Sequence, residues 1–256
     1  MSIYHTIIQI YKMETELFDI VIPVGPNDTT VIEKQIHYTQ KNIIGYRNIY
    51  LICYDPSINI DGCVTIREDI FPFSIKTVSN IHGESSRNGW YLQQLFKLYA
   101  LFTIPGILER CLVIDSDTFF LKPTRFVSDD NQCLDAFGNE YHPPYFDHIS
   151  RLNIGLTKIY DNLSGICHHM MFEKIYLTEL FHTVEQKHND TFYNVFLKKV
   201  IDTSDAGASE YEIYFNYMFQ RHSDRVRLRD LQWMNTNSLS LLDSDYDYIS
   251  YHWYMR

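Results

Sequence analysis

The chain has 256 residues, 45% of them hydrophobic, and its 32 acidic against 22 basic side chains leave a formal charge of −10. That is long and apolar enough for one sizeable core, while the negative balance excludes a partner gripped by its phosphate backbone, so nucleic acid is not an expected ligand. No run reaches the roughly 18 to 20 uncharged apolar residues of a membrane span, because Lys97 and Glu109 bound the best stretch, Leu98 to Leu108.

Taken from the amino terminus, Met1-Ser2-Ile3-Tyr4-His5 lacks the basic flank and small-residue cleavage site of a secretory signal, which predicts a soluble, cytoplasmic protein without a transmembrane segment. Asp19 to Val24 is a short apolar, β-branched run stopped by Gly25-Pro26-Asn27-Asp28, the pattern of a buried strand breaking into a loop. Thr29-Thr30 is positioned to cap a helix from Val31 to Asn42, in which Ile32, Ile36 and Thr39 share one face. Arg47 to Cys53 then reads as a second strand. Strand, helix, strand in that order predicts parallel pairing, with ligands at the carboxyl ends of the strands.

After a polar stretch from Gly83 to Gly89, the spacing of Leu92, Leu95, Phe96 and Tyr99 predicts a helix over Trp90 to Phe102, with Gln93, Gln94 and Lys97 on its other face. Pro105-Gly106 ends it. Cys111 to Ile114 is the clearest buried strand, and it delivers Asp115-Ser116-Asp117 at its end. Beyond it, Ser128 to Ser150 reads as a loop, His169 to His188 and Ser209 to Arg221 as helices, and the aromatic tail Tyr246 to Arg256 as a docked terminus. The five cysteines, Cys53, Cys63, Cys111, Cys133 and Cys167, show no CxxC spacing and are expected to be free thiols.

Two carboxylates one residue apart at a strand end can hold a hard divalent cation, which in turn grips phosphate oxygens. An acidic chain needs such a cation, Mn2+ or Mg2+, to take a diphosphate. A second triplet, Asp243-Ser244-Asp245, follows a shorter run broken by serine and reads as a solvated turn. On the helix, Trp90, Gln93, Gln94 and Lys97 fall three to four residues apart, so one face, with Arg87 before it, is able to present amides and cations to a polar or phosphorylated ligand; the same pattern also fits a lysine that merely snorkels from an amphipathic helix. His168 and His169 follow a Ser-Gly turn, and as neighbours on a helix they point about 100° apart, so they cannot both face one small site; a capping or packing role fits them equally.

The strand ending in Pro23-Val24, the segment Gly89-Trp90-Tyr91-Leu92-Gln93-Gln94-Leu95-Phe96-Lys97-Leu98, and Val113-Ile114-Asp115-Ser116-Asp117-Thr118-Phe119-Phe120 occur in an order that resembles GT-A glycosyltransferases. Ser164-Gly165-Ile166-Cys167-His168-His169-Met170 and Ser209-Glu210-Tyr211-Glu212-Ile213-Tyr214 resemble an uncharacterised branch of that superfamily found in bacteria and large DNA viruses, the DUF6492 group. The resemblance implies an α/β fold: one GT-A (Rossmann-like) domain over residues 1–256, with a mostly parallel central sheet flanked by helices. Residues 19–125 would form the nucleotide-sugar donor half and 126–256 the acceptor half and tail, in a bacterial or virus-infected host cell.

It further implies that Pro23, Val24 and Asp28 contact the nucleotide, with Arg87, Gln94, Lys97 and Ser116 completing the donor site. Asp115 would approach the ribose and share the metal with Asp117, and His252 would supply a third metal ligand. His168, His169 and Trp253 would face the sugar or acceptor. Glu210 would be the catalytic base that takes the acceptor proton in an inverting transfer, although a glutamate in a first helical turn also suits the macrodipole; Asp205 and Glu212 are the reserves. The implied substrates are a UDP- or GDP-sugar donor and a glycan, glycolipid or glycoprotein acceptor.

Two rival enzyme classes fit less well. A haloacid-dehalogenase-like phosphatase wants Thr two residues past the second Asp, where this chain has Phe119, and a nucleotidyltransferase wants a Gly-rich basic loop absent from Val24 to Asp28. A non-catalytic carbohydrate-binding protein would keep the aromatic rings without needing metal.

Overall fold

The computed structural model describes residues 17–256, so Met1 to His5, read above for a secretory signal, lie outside the described residues. The first apolar run forms β1 (Phe18–Val24), buried at every position. A 3-10 turn at Pro26–Asp28 leads into α1 (Ile32–Asn42). Thr29 and Thr30 do not cap it. The N-cap is Val31, with no side-chain bond, and the Thr29 hydroxyl instead donates back into the preceding turn, to Pro26 O at 3.3 Å.

A two-residue β2 (Ile43–Ile44) precedes β3 (Tyr46–Cys53), and β4 (Cys63–Arg67) follows. Next come α2 (Ile75–His82), α3 (Asn88–Thr103), β5 (Arg110–Ile114), β6 (Thr118–Phe120) and β7 (Thr124–Arg125). The expected loop Ser128 to Ser150 contains α4 (Pro143–Arg151), opened by two prolines whose missing N–H groups are spare at a helix start. The helix expected from His169 to His188 is divided into β8 (His169–Glu173) and α5 (Lys174–His188), because residues 169–173 pair with β5. The described chain ends with α6 (Phe192–Lys198), α7 (Glu210–Arg221), β9 (Trp233–Asn235) and β10 (Tyr248–Ser250).

The central sheet has the order β4-β3-β1-β5-β8, all parallel except β8, which runs antiparallel to β5. It is the expected α/β architecture, a mostly parallel sheet with helices on its faces. Alternate side chains enter two cores. Val21, Ile52 and Val113 pack with Leu92 and Leu95 of α3, whereas Ile20, Ile22, Leu51 and Leu112 pack with Ile32 and Ile36 of α1. Cover on both faces explains why β1 and β5 read as unbroken apolar runs. Asp19, wholly buried, ties three segments together by accepting from Arg47 Nη2 at 2.6 Å, Asn48 N at 3.1 Å and Leu108 N at 2.8 Å.

From β1 the chain passes to β3 on one side, then returns across to β5 on the other, so the strand order reverses between β1 and β5. A second sheet, β6-β10-β9, lies beyond the end of β5, and its β10 pairs antiparallel with β6, placing Ser250 opposite Thr118. The aromatic tail is therefore docked, with Tyr248 and Ile249 fully buried. All five cysteines are free, four of them buried and Cys63 half-buried. Among the described residues, no helix is long and apolar enough to cross a membrane.

Candidate functional site

The backbone turns sharply where β5 ends, with Thr118 N donating to Asp115 O at 3.0 Å, and this turn presents Asp115, Ser116 and Asp117 beyond the carboxyl edge of the sheet. Asp115 is saturated with donors. Its Oδ1 accepts from Lys97 Nζ at 2.5 Å and Tyr211 Oη at 3.0 Å, and its Oδ2 from His168 Nδ1 at 3.3 Å. His168 has left-handed backbone (φ 63°), a conformation worth of order 1–3 kcal/mol of strain in a non-glycine residue, and its carbonyl is fixed by the Asp115 N–H at 3.0 Å.

Lys97 reaches this point from α3 and also donates to Glu210 Oε1 at 2.6 Å; lysine and glutamate are each 4% exposed. Glu210 begins α7, where its N–H donates to Gln94 Oε1 at 3.0 Å, and Ser209 caps the helix by accepting from Glu212 N at 3.2 Å. Burial opposes the charge on Lys97, but the two carboxylates outweigh it and hold the ammonium charged above its ordinary range. Burial likewise opposes the charge on Asp115, and Lys97 with His168 overcomes it, so that carboxylate stays ionised well below the usual pH. Glu210 shifts the other way: burial and the Asp115 charge raise it further than Lys97 lowers it. One ammonium thus serves two carboxylates of different proton affinity.

Asp117 sits on the opposite side of the turn, also buried. Its Oδ2 accepts from His252 Nδ1 at 3.1 Å, its carbonyl accepts from Tyr251 N at 2.8 Å, and its buried Oδ1 has no partner. His252 Nε2 donates to Asn235 Oδ1 at 3.0 Å, so both ring nitrogens face oxygen acceptors. Burial works against a charged ring, yet the Asp117 carboxylate prevails and moves His252 upward. Ser116 points back to β1 and donates to Asp28 Oδ2 at 2.7 Å, while Asp28 Oδ1 accepts from Arg256 Nη2 at 2.9 Å. Pro23 and Val24 are buried at the same strand end, and Pro23 O accepts from Gln93 Nε2 at 3.4 Å.

Of the residues singled out in the sequence, Asp28, Gln94, Lys97, Asp115, Ser116, Asp117, His168, Glu210 and His252 are connected around one turn. Others lie apart from these bonds. Arg87 stands ten residues before Lys97, about 15 Å along the helix axis, where it faces Asp205 at 3.7 Å. His169 is enclosed by Phe120, Phe126 and Tyr248, with both ring nitrogens unpartnered, and Trp253 is 52% exposed at the surface. Glu212 is wholly buried and binds Asn216 Nδ2 at 2.8 Å and the Ser164 hydroxyl. Asp243 and Asp245 are exposed, as a solvated turn requires.

Tyr211, Asn235 and Arg256 had no assigned role in the sequence. Tyr211 adjoins Glu210, but its bond to Asp115 joins positions 96 apart, and Asn235 and Arg256 are brought in by the second sheet. Among the described residues no three His, Cys, Asp or Glu side chains converge as a metal cluster. Asp117 keeps an unused buried oxygen, a hard donor that suits a divalent cation, whereas both ring nitrogens of His252 are engaged, so His252 would join it only by giving up its bond to Asp117 or Asn235 and the proton in it. No protein-family model matches this chain, and no curated protein matches it.

Proposed function

We propose that the chain is a metal-dependent glycosyltransferase that moves a sugar from a nucleoside diphosphate, UDP or GDP, to a hydroxyl of a glycan, glycolipid or glycoprotein. The observation that carries this reading is the position of the turn: Asp28 follows β1 and Asp115 to Asp117 follow β5, the two strands between which the order reverses. Open α/β sheets hold ligands in the crevice outside the carboxyl ends of such strands.

In this reading Asp28, Ser116 and the end of β1 receive the nucleoside, and Asp117 would hold Mn2+ or Mg2+, with His252 as a second ligand once a ring nitrogen gives up its proton and its hydrogen bond. The cation supplies positive charge to the diphosphate, stabilising it as a leaving group. Glu210 takes the proton of the acceptor hydroxyl as the new bond forms on the face opposite the leaving phosphate. Its raised proton affinity suits that task better than the fixed charge of Asp115 does.

Thermal unfolding with UDP and GDP, with and without Mn2+, tests the donor site. The nucleoside diphosphate should raise Tm in the presence of the cation, and a screen of nucleotide sugars should reveal metal-dependent release of that diphosphate. A shift of equal size in excess chelator removes the metal from the reading. No shift and no turnover with any nucleotide sugar removes the function.

A further inference from the structure

Lys97 lies where the donor turn and α7 meet, and its surroundings leave it little to offer a ligand. Its ammonium donates to Asp115 Oδ1 at 2.5 Å and Glu210 Oε1 at 2.6 Å, and it faces the Tyr211 ring at 4.4 Å. An ammonium has three N–H groups; two are spent on carboxylates and the cation as a whole is covered by a π face. To grip phosphate, Lys97 would have to give up two buried, charge-assisted bonds and leave two carboxylates uncompensated, a strongly unfavourable exchange.

The same contacts fix a distance. Both carboxylate oxygens lie within 2.6 Å of one nitrogen, which places them within about 5 Å of each other. The Asp115 carboxylate is also held by Tyr211 and His168, and the backbone of Glu210 is held through its N–H by Gln94. Gln94 and Lys97 are three residues apart on α3 and both are buried, so one helical turn holds the start of α7 at a backbone group and at a side chain.

We propose that Lys97 is a positioning residue that sets Glu210 at a fixed place relative to the Asp115-Ser116-Asp117 turn and does not itself contact the donor. The inference rests on the reading of Glu210 as the base and of that turn as the donor site. Displacing a reacting group by about 1 Å costs on the order of a hundredfold in rate, so the strut acts on the transfer step and not on donor affinity.

The test compares Lys97→Met, Lys97→Arg, Glu210→Gln and the double variant Lys97→Met/Glu210→Gln, using a nucleotide sugar that the wild-type protein turns over. Transfer gives kcat and KM, and isothermal titration with UDP and Mn2+ gives donor affinity. Lys97→Met should lose about a hundredfold or more in kcat while UDP affinity stays within about threefold. Lys97→Arg, which can still bridge two carboxylates, should recover part of the rate. The double variant should be no slower than Glu210→Gln alone, because Lys97 works through Glu210.

Multiplied losses in the double variant, or a tenfold loss of UDP affinity with unchanged kcat in Lys97→Met, overturn the proposal and make Lys97 a donor ligand. Should the single methionine variant fail to fold, the double variant removes one charge of each sign, and its rate against Glu210→Gln decides the same question. A wild-type protein that binds no UDP and turns over no nucleotide sugar overturns the function itself, and this inference with it.

Discussion

Asp117 and Asp115 are two residues apart and differ in almost every physical respect. Asp115 has every oxygen engaged by Lys97, Tyr211 and His168, whereas Asp117 keeps one buried oxygen without a partner. An unpaired buried carboxylate oxygen is costly, and a cation or a donor from a ligand relieves that cost. Asp117→Ala should therefore abolish the Mn2+-dependent part of the UDP thermal shift. Asp245→Ala, in the exposed second triplet, should leave that shift within experimental error. Differential scanning fluorimetry on both variants decides the matter, and sensitivity at Asp245 alone would relocate the metal. The twin Asp-Ser-Asp triplets were separable in the sequence because only one follows an unbroken apolar strand. Which of its two carboxylates is free was not, since the partners of Asp115 come from positions 97, 168 and 211.

Elements that run deep through the core were the legible ones. β1 and β5 are buried at every position and α3 over most of its length, and their ends fall within two residues of the sequence reading. β4 escaped notice because Cys63–Arg67 is an edge strand of half-buried and exposed side chains with no apolar face to read. β8 was absorbed into a helix because His169 to Phe172 is a short run with no period of its own, and its identity comes from pairing with β5 across the chain. The placement of α7 depends on close backbone contact: a Cβ at Gly165 would lie 2.6 Å from Tyr211 O and 2.7 Å from Phe215 Cβ. Gly165→Ala should destabilise the protein by about 1–3 kcal/mol through overpacking, and should lower transfer further by moving Glu210. Urea unfolding measures the first effect, and a change under about 0.5 kcal/mol would show that α7 yields freely.

Across the whole molecule, acid weakens the fold through buried histidines that take no part in the candidate site's hydrogen bonds. His148 is wholly buried, its Nε2 bonded to Phe196 O at 2.9 Å, and burial pushes it down to about 4; His169 is pushed down to about 3 for the same reason. Both are neutral in the native state, while an unfolded chain takes up the protons near pH 6.5. Their contribution is thus fully present above pH 6.5 and is lost as pH falls toward 4, at up to about 1.4 kcal/mol per pH unit for each. His148→Gln should reduce the slope of unfolding free energy against pH by that amount between pH 6.5 and 4.5. An unchanged slope in urea titrations at several pH values would show that His148 takes up its proton without unfolding.

The antiparallel pairing of β10 with β6 has a consequence in time. Ser250 meets Thr118 across 132 residues of chain, and His252 meets Asp117 across 135. At about 5–20 residues per second, a ribosome needs on the order of ten seconds between delivering the turn and delivering the strand that seats it. During that interval β1, β3, β4 and β5 are already made and can pair, but Asp117 has neither its imidazole nor the backbone N–H of Tyr251. The first four strands of the central sheet are therefore available to pair well before Asp117 can gain either partner.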